Sequence, residues 1–315
     1  MSKTRTIRWV LAHEPYDLFL RAAEKFSAEV AEKTNNQINI EVMGLTEYVE
    51  RYNNGQLLDR YKIRELVDSG KIEMSQMYTT TLGLLDQDMF VLDMPFIFRD
   101  HEHAARVLDG EIGQELMNNL ASKTNIKGLA FTYSGGFRAI IGNRVIESID
   151  DMKGMTVRVA HCPVAEDTMK ALGATPVVMP IEQLRDAIEE QTVEAGESTY
   201  PRIYGMKQNE TASVINHTEH SLFLTTLIMN KGLWNELTVE QQKIFEDAAY
   251  AAAHIERAES LEDVEITRQR AKNDGIQVVD LSENTREEFK QATQSIYAKY
   301  QNYFSNNLIS RIQQQ

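Results

Sequence analysis

An arginine interrupts one apolar run of this 315-residue chain. The run Thr156–Ala160 (TVRVA) is rich in β-branched residues, which predicts a buried strand that carries Arg158 in its middle. A buried guanidinium is costly unless an anionic group meets it. That group could be a carboxylate of the protein, such as Glu194 or Glu197, or a carboxylate of a ligand. From the strand alone, both alternatives stay open.

Other residues with reactive or metal-binding side chains do not form a catalytic pattern. His101 and His103 lie two residues apart at a predicted helix start, so they would point to different sides of it. His217 and His220 lack an evident further metal ligand in the sequence. We find no glycine-rich phosphate loop, nucleophile elbow or zinc-binding helix motif. The sequence therefore predicts no metal site and no cofactor, and an enzyme of the α/β type is kept only as a rival hypothesis.

Composition and charge limit the partners of the protein. A formal net charge of −14 argues against nucleic acid and against anionic membrane surfaces, which both require basic footprints. A local arginine in a cleft can still bind an anion, because charges are screened over about 8 Å at physiological salt. The single cysteine, Cys162, excludes an internal disulfide and a cysteine-rich metal site. We expect Cys162 to act as a small buried apolar residue.

Hydrophobic periodicity predicts two repeated β-α-β-α-β units. The first contains strands at Ile7–Leu11, Ile38–Val42 and Ile72–Tyr78, with helices between them. The second runs from the strand of Arg158 to the strand Val193–Glu197. In such sheets, ligands collect at the carboxyl ends of the strands, next to helix starts. Arg158, His161, Glu197 and Ser198 all lie near such ends.

Four further segments have predicted roles. The apolar stretch Met89–Phe98 contains a proline and predicts a core strand that turns into a loop. The strand Lys127–Tyr133 ends in Ser134–Gly136, which predicts a crossing from one lobe to the other. Thr238 and Gln241 form a capping-box pattern, and the helix behind them continues to about Lys272 without a breaker. At about 1.5 Å per residue, such a helix spans about 50 Å and should extend through both lobes. A last helix is predicted to begin at Thr285.

The ordered motifs of the chain resemble the solute-binding proteins of tripartite ATP-independent periplasmic (TRAP) transporters, of the C4-dicarboxylate-binding type. The motifs are GGFR (Gly135–Arg138), SIDDMKGMTVRV (Ser148–Val159), LGATPVVMP (Leu172–Pro180), VEAGE (Val193–Glu197), TEH (Thr218–His220) and LWNELTVEQQ (Leu233–Gln242). The similarity extends from Ile7 to about Tyr300. Each motif alone is weak evidence for the family, whereas the whole set in this order is specific to it. The family's usual V-D-G-x-E is changed at Glu194 and Ala195, whereas Glu197 keeps its glutamate.

The resemblance implies an α/β protein with the two-lobed periplasmic binding protein fold, crossing strands and a long helix spanning both lobes. The lobes are expected to be discontinuous, 1–133 with 219–262 and 134–218 with 263–315, with the ligand cleft between them. The implied function is extracytoplasmic: the protein captures a small organic acid and delivers it to the permease subunits of the membrane transporter, without a catalytic step. A periplasmic monomer whose signal peptide is absent from this sequence is expected.

The resemblance also implies which residues bind the ligand. Arg158 falls on the family arginine that pairs with the ligand's carboxylate, and the guanidinium fork suits that geometry better than lysine does. Arg138 falls on a second arginine, with a solvated turn residue as the alternative. Glu197 is expected to position an arginine or to form a hydrogen bond between the lobes. The other expected pocket residues are His161, Ser198, Tyr78, Gln76, His13, Glu14 and Ile181.

A different ligand class is compatible with the same fold. In this alternative, Glu14, Glu197 and Tyr78 form a cage for a cationic amine or amino alcohol, and Arg158 is buried in a structural ion pair. The identity of the ligand does not follow from the sequence, because several kinds of organic acid suit an arginine clamp.

Overall fold

The computed structural model describes residues 4–12 and 16–315. The strands are β1 (Arg5–Leu11), β2 (Ile38–Gly44), β3 (Met74–Tyr78), β4 (Ile126–Phe137), β5 (Ala139–Gly142), β6 (Thr156–Val159), β7 (Thr175–Val178), β8 (Ala195–Ser198), β9 (Val214–His217), β10 (Leu222–Asn230) and β11 (Gln277–Asp280). The helices are α1 (Tyr16–Lys33), α2 (Leu45–Tyr52), α3 (Ile63–Asp68), α4 (Thr79–Leu82), α5 (His101–Asp109), α6 (Glu111–Lys123), α7 (Pro163–Ala171), α8 (Leu184–Glu189), α9 (Tyr200–Gly205), α10 (Lys231–Glu236), α11 (Val239–Asn273), α12 (Glu283–Ala292), α13 (Gln294–Tyr300) and α14 (Leu308–Gln313).

The chain divides into two compact units. Unit 1 contains the chain up to Asp86, Leu108–Tyr133 and Leu224–Glu259, and unit 2 contains Gln87–Val107, Ser134–Phe223 and Ser260–Gln315. Boundaries fall inside α5, β4, β10 and α11, so that each of these four elements contributes residues to both units. The predicted α/β fold with a crossing strand and a long shared helix is therefore confirmed.

The units differ from the predicted lobes mainly at 87–107, which the sequence-based division placed in the first lobe and which packs in unit 2. Two hydrogen bonds show why. The backbone N–H of Phe96 donates to the His220 carbonyl oxygen at 2.8 Å, and the Tyr297 hydroxyl donates to the Pro95 carbonyl oxygen at 2.6 Å. These partners are far from the segment in sequence, and only the tertiary fold brings them to it.

Unit 1 is built on a mixed sheet with the strand order β2-β1-β3-β10-β4. Strand β1 is parallel to β2 and β3, while β10 is antiparallel to β3. The sheet is covered by aromatic packing: the rings of Trp9 and Phe26 lie 5.3 Å apart edge to face, and Phe26 meets Phe245 of α11 in the same way at 5.3 Å. Such edge-to-face pairs add to the stabilisation from buried area.

Unit 2 is built on a sheet with the strand order β11-β9-β5-β8-β6-β7. Strand β6 is parallel to both β7 and β8, and β5 is antiparallel to β8 and β9. Leu184, Tyr200 and Ile215 are fully or almost fully buried in the core on one side of this sheet. The three parallel strands therefore end together at one edge, where the predicted arginine strand β6 lies in the middle.

The predicted strand within Met89–Phe98 is wrong. Residues Gln87–Asp93 form a 3-10 helix, although its apolar side chains are buried as predicted. Asp88 connects this helix to Ser305. Its carboxylate accepts hydrogen bonds from the Ser305 backbone N–H at 2.9 Å and from the Ser305 hydroxyl at 2.6 Å. An apolar run alone does not distinguish a buried strand from a buried helical turn.

Strand β4 also differs from its prediction, because it continues through Gly135 and Gly136 to Phe137. Both glycines have positive φ, 86° and 77°. A Cβ at Gly135 would lie 2.6 Å from the Thr199 hydroxyl oxygen, so this position requires glycine both for its conformation and for its space. The glycines kink the strand instead of ending it.

The long helix is confirmed as α11, which has 35 residues. Its predicted capping box is present: the Thr238 N–H donates to Gln241 Oε1 at 3.0 Å, and the Gln241 N–H donates to Thr238 Oγ1 at 3.2 Å. The helix predicted to begin at Thr285 is α12, and it begins earlier, because Ser282 accepts from the Thr285 N–H and is the actual N-cap. Within the described part of the chain, no helix is long and apolar enough to cross a membrane.

Candidate functional site

Arg158 is buried, with 5% of its surface exposed, near the carboxyl end of β6. Its Nε donates to the Met179 carbonyl oxygen at 2.9 Å, which fixes the orientation of the guanidinium. In the sheet, Arg158 is paired with Val177 of β7 and with Gly196 of β8. A Cβ on Gly196 would lie 2.5 Å from Leu184, so the sheet leaves no room for a side chain there. Strand pairing and the Met179 carbonyl thus help to hold Arg158 at the edge where three parallel strands end.

Arg138 is also buried, with 2% exposure, so the alternative of a solvated turn residue is wrong. Its Nη2 donates to Asp93 Oδ1 at 3.3 Å, and its guanidinium carbon lies 3.8 Å from the centre of the Phe223 ring. A cation over a ring face is attracted to it, more strongly where water is excluded. The backbone of Arg138 is bonded as well, to the Ser221 carbonyl and the Glu219 N–H. Arg138 is therefore a fixed positive charge inside unit 2.

Glu197 and His220 form a buried hydrogen-bonded pair. Oε1 of Glu197 lies 2.8 Å from Nε2 of His220, and both side chains are 1% exposed. Because a carboxylate only accepts, Nε2 carries a hydrogen, and Nδ1 lies 2.7 Å from the Thr218 hydroxyl oxygen. These two hydrogen bonds fix the orientation of the imidazole ring. The partner of Glu197 in this bond is a histidine of unit 2, where the sequence analysis had expected an arginine or a bond between lobes.

The two buried carboxyl groups near Arg138 titrate differently. Burial raises the pKa of Asp93 to about 7, against the opposing charge of Arg138. Burial also acts to raise the pKa of Glu197, but the charge of Arg138, the hydrogen bond and charge of His220, and the charge of Arg158 outweigh it and lower that pKa. Glu197 is therefore ionised at neutral pH, whereas burial favours the protonated form of Asp93.

The other predicted pocket residues of unit 2 are placed in different surroundings. The Ser198 hydroxyl donates to Gln208 Oε1 at 2.7 Å and is buried. Ile181 is 8% exposed and belongs to the apolar core with Leu184. His161 is exposed and follows the end of β6 by two residues. Of these three, only His161 presents a polar side chain to solvent near the arginine strand.

In unit 1, Gln76 and Tyr78 lie on β3. The Gln76 amide donates to the hydroxyls of Thr132 at 2.9 Å and Thr225 at 3.0 Å, and it is 2% exposed. Tyr78 is 6% exposed, and its ring lies edge to face with that of Phe19 at 6.0 Å. Both are part of the interior of unit 1 in this structure. The remaining predicted residues, His13 and Glu14, lie outside the described residues.

Sequence reasoning missed two residues of the network, Asp93 and His220. Asp93 is the only charged residue in the apolar stretch MFVLDMPFIF, and the same rule that singled out Arg158 would have singled it out. His220 belongs to the TEH motif and was weighed as a metal ligand, but the sequence did not indicate its bond to Glu197. Among the described residues, no group of three or more histidine, cysteine, aspartate or glutamate side chains could hold a metal ion.

Known proteins resemble this chain over nearly its whole length. The model of bacterial extracellular solute-binding protein family 7 matches residues 12–303. The C4-dicarboxylate-binding protein DctB of Bacillus subtilis (strain 168) is 28% identical over 299 residues, which cover 92% of this chain and 81% of DctB.

Two solved structures share the fold. A TRAP periplasmic solute-binding protein from Polaromonas sp. JS666, bound to D-erythronate, is 27% identical with a TM-score of 0.87 over 98% of each chain. Another from Pseudomonas putida F1, with bound D-glucuronate, is 26% identical with a TM-score of 0.86 over 98% of this chain and 96% of that one. The match of the family model across 12–303, with the shared α/β fold, shows that this chain belongs to bacterial extracellular solute-binding protein family 7, the solute-binding proteins of TRAP transporters.

Proposed function

We propose that this protein captures a small organic acid outside the cytoplasm, in the periplasm, through an ion pair between Arg158 and the ligand's carboxylate, and delivers it to the permease of a TRAP transporter. The observation that carries the proposal is the buried guanidinium of Arg158 at the carboxyl end of β6, oriented by the Met179 carbonyl. D-Erythronate and D-glucuronate, which the two solved relatives bind, each carry one carboxylate. A guanidinium can bind a carboxylate through two parallel hydrogen bonds.

The charge balance around Arg158 supports an anionic ligand. Arg138 and Arg158 are permanently charged and buried, and both lower the pKa of Glu197. Both charges are kept out of water, where each guanidinium gains from every anionic group that contacts it. A ligand carboxylate would add such a negative charge beside them.

Arg138 is proposed as a second contact of the ligand. It donates to Asp93 through Nη2, and a guanidinium has further N–H groups that can bind an anion. Its backbone bonds and its position over Phe223 hold it in place before any ligand arrives. Such preorganisation reduces the entropy lost on binding.

The cationic-amine alternative is not favoured by the surroundings of Glu197. This carboxylate already accepts a hydrogen bond from His220, and its pKa is lowered by two arginine charges nearby. A cation placed there would meet the same two guanidinium groups and be repelled by them.

Calorimetric titration with C4-dicarboxylates, D-erythronate and D-glucuronate would test the proposal. We expect one of these acids to bind the unaltered protein, and Arg158→Ala to weaken it by about 100-fold or more, since a buried charged hydrogen bond is lost. The affinity of the Arg158→Lys variant should lie between those of the unaltered protein and of Arg158→Ala, because lysine keeps the charge but lacks the forked guanidinium group. Arg144→Ala is the matched control: Arg144 is 40% exposed and pairs with Glu194 at 3.6 Å, away from this network.

Equal affinity of the Arg158→Ala and Arg144→Ala variants for the bound acid would contradict the proposed ion pair. Binding of a quaternary amine that disappears in a Glu197→Gln variant would favour the cationic alternative instead. Delivery to a permease is tested separately, by uptake of the bound acid into vesicles that contain the membrane subunits, with and without the binding protein.

A further inference from the structure

Unit 2 contains a cavity whose lining does not include Arg158, Arg138 or Glu197. Its volume is 570 Å³, and the residues around it come from the segment 95–101, from Phe137 and Glu219, from helices α12 and α13, and from Gln313. Cavities of about 300–1,000 Å³ are typical of sites for small molecules. Nothing in the proposed carboxylate site uses these side chains.

One part of the wall of this cavity is aromatic. The rings of Phe96, Phe98 and Phe137 line it, and the imidazole of His101 lies against Phe137 with 4.8 Å between the ring centres. Burial lowers the pKa of His101, which keeps its imidazole neutral at pH 7. Together these rings form a surface suited to a flat apolar group, because aromatic rings pack edge to face or offset against one another.

Two residues of the wall have an unusual backbone. Phe96 has φ 56° and Glu219 has φ 48°, in the left-handed region that bulky residues rarely adopt. Both conformations are held by hydrogen bonds, since the Phe96 N–H donates to the His220 carbonyl and the Glu219 N–H donates to the Arg138 carbonyl. Backbone outliers that the surrounding structure maintains are concentrated at binding sites. Here both outliers place a side chain at the same cavity.

The polar side chains of the cavity leave an excess of positive charge. The charged residues in its wall are Arg99, Arg286, Lys290, Asp100 and Glu219. Arg286 is neutralised by Glu219 at 2.7 Å, and the Asp100 carboxylate accepts the His103 N–H at the start of α5. The Lys290 ammonium forms no ion pair with any residue in the described ranges, and Arg99 donates to the Gln313 carbonyl oxygen at 3.0 Å. With the charge of Asp100 included, the wall carries one excess positive charge, which matches a single negative charge on a ligand.

From the aromatic wall, the two backbone outliers and the charge, we propose that this cavity is a second binding site that takes a monoanionic aromatic molecule, an arylcarboxylate. The rings contact its apolar body, and Lys290 with Arg99 contacts its carboxylate. Neighbouring residues of the chain serve the two sites. Phe137 lines the cavity, while the next residue, Arg138, pairs with Asp93. Likewise, Glu219 lines the cavity, while the next residue, His220, forms a hydrogen bond with Glu197. A molecule bound in the cavity would therefore contact the two segments that carry Arg138 and His220.

The test uses the full chain and 2-naphthoate as the probe, followed by calorimetry and by its fluorescence. We expect saturable binding to the unaltered protein, binding about tenfold weaker in Lys290→Glu, and loss of binding in Gln294→Trp, which adds a large ring to the cavity wall. The matched control is Lys272→Glu, which reverses an exposed lysine outside the cavity. Thermal unfolding of each variant checks that the fold is kept.

Arg158→Ala separates this site from the organic-acid site, because it should leave 2-naphthoate binding unchanged even where it abolishes binding of the organic acid. The proposal is overturned if 2-naphthoate does not saturate the protein, or if Arg158→Ala removes its binding. It is also overturned if the Lys290 and Lys272 variants behave alike, or if the neutral 2-naphthalenemethanol binds as tightly as the acid.

Discussion

Nε2 of His220 donates a hydrogen bond to Glu197 at 2.8 Å in the interior of unit 2, where both side chains are 1% exposed. The bond connects strand β8 to the segment that precedes β10. That same segment carries the N–H of Glu219, which donates to the Arg138 carbonyl oxygen at 3.0 Å. The pair thus joins the strand of Glu197 to the backbone that positions Arg138.

Glu197→Gln tests the energy of this pair. Glutamine keeps the shape of the side chain but not its charge, so the charge-assisted hydrogen bond is lost, and we expect destabilisation by about 1.5–3 kcal/mol. Urea unfolding followed by circular dichroism measures it. Glu189→Gln, on the exposed end of α8, should stay within about 0.5 kcal/mol of the unaltered protein. Equal stability of the two variants would show that the buried pair contributes nothing.

Asp93 should make the free energy of unfolding decrease as the pH rises. Its pKa is about 7 in the folded protein and near 3.8 in the unfolded chain, so the folded state binds more protons between these values. The contribution of Asp93 to stability is therefore fully present below pH 3.8 and is lost as the pH rises to 7, by at most about 1.4 kcal/mol per pH unit.

Asp93→Asn removes this titration. At pH 4 the asparagine resembles the protonated aspartate, and the two proteins should be similarly stable. At pH 8 the variant should be the more stable of the two. Urea unfolding at pH 4, 6 and 8 checks this, and a difference between the two proteins that does not change with pH would contradict it.

Arg257 of α11 binds two segments of unit 1 through its guanidinium group. Its two terminal nitrogens each donate to an Asp109 carboxylate oxygen at 2.9 Å, and its Nε donates to the Phe131 carbonyl oxygen at 2.9 Å. Arg257→Lys keeps the charge but loses the fork, and we expect destabilisation by about 2 kcal/mol. Arg257→Ala should cost about 3 kcal/mol or more, because Asp109 is left without this partner. If chemical unfolding gives the lysine variant the same free energy of unfolding as the unaltered protein, the forked geometry of the guanidinium contributes nothing to stability.

Gly142 tests the packing of β5 against β8. A Cβ at this position would lie 2.4 Å from the Glu194 carbonyl oxygen and 2.9 Å from the Ala195 side chain. These contacts leave no space for a side chain at this position. Gly142→Ala should destabilise the protein by about 1–3 kcal/mol. Gly154→Ala meets no atom within 4 Å, so only its positive φ of 71° is strained, which makes it the control for crowding. Thermal unfolding of the two variants separates the effects.

Local patterns in the sequence predicted many elements correctly. The spacing of Thr238 and Gln241 predicted the start of α11, because both hydrogen bonds of a capping box join residues three apart. The same kind of local pattern failed at Gln87–Asp93, where an apolar run was interpreted as a strand. The decisive contacts there come from Ser305, more than two hundred residues away in the chain.

The sequence by itself determined the two α/β repeats, the helix α11, the strand that carries Arg158 and the family, because these follow from local periodicity and from motifs in order. Only the tertiary structure decided which groups surround the arginines. Arg138 meets Asp93 across 45 residues of chain, and Glu197 meets His220 across 23. Such partners are set by strand order and by packing between segments, and a charge in an apolar run shows only that a partner is required.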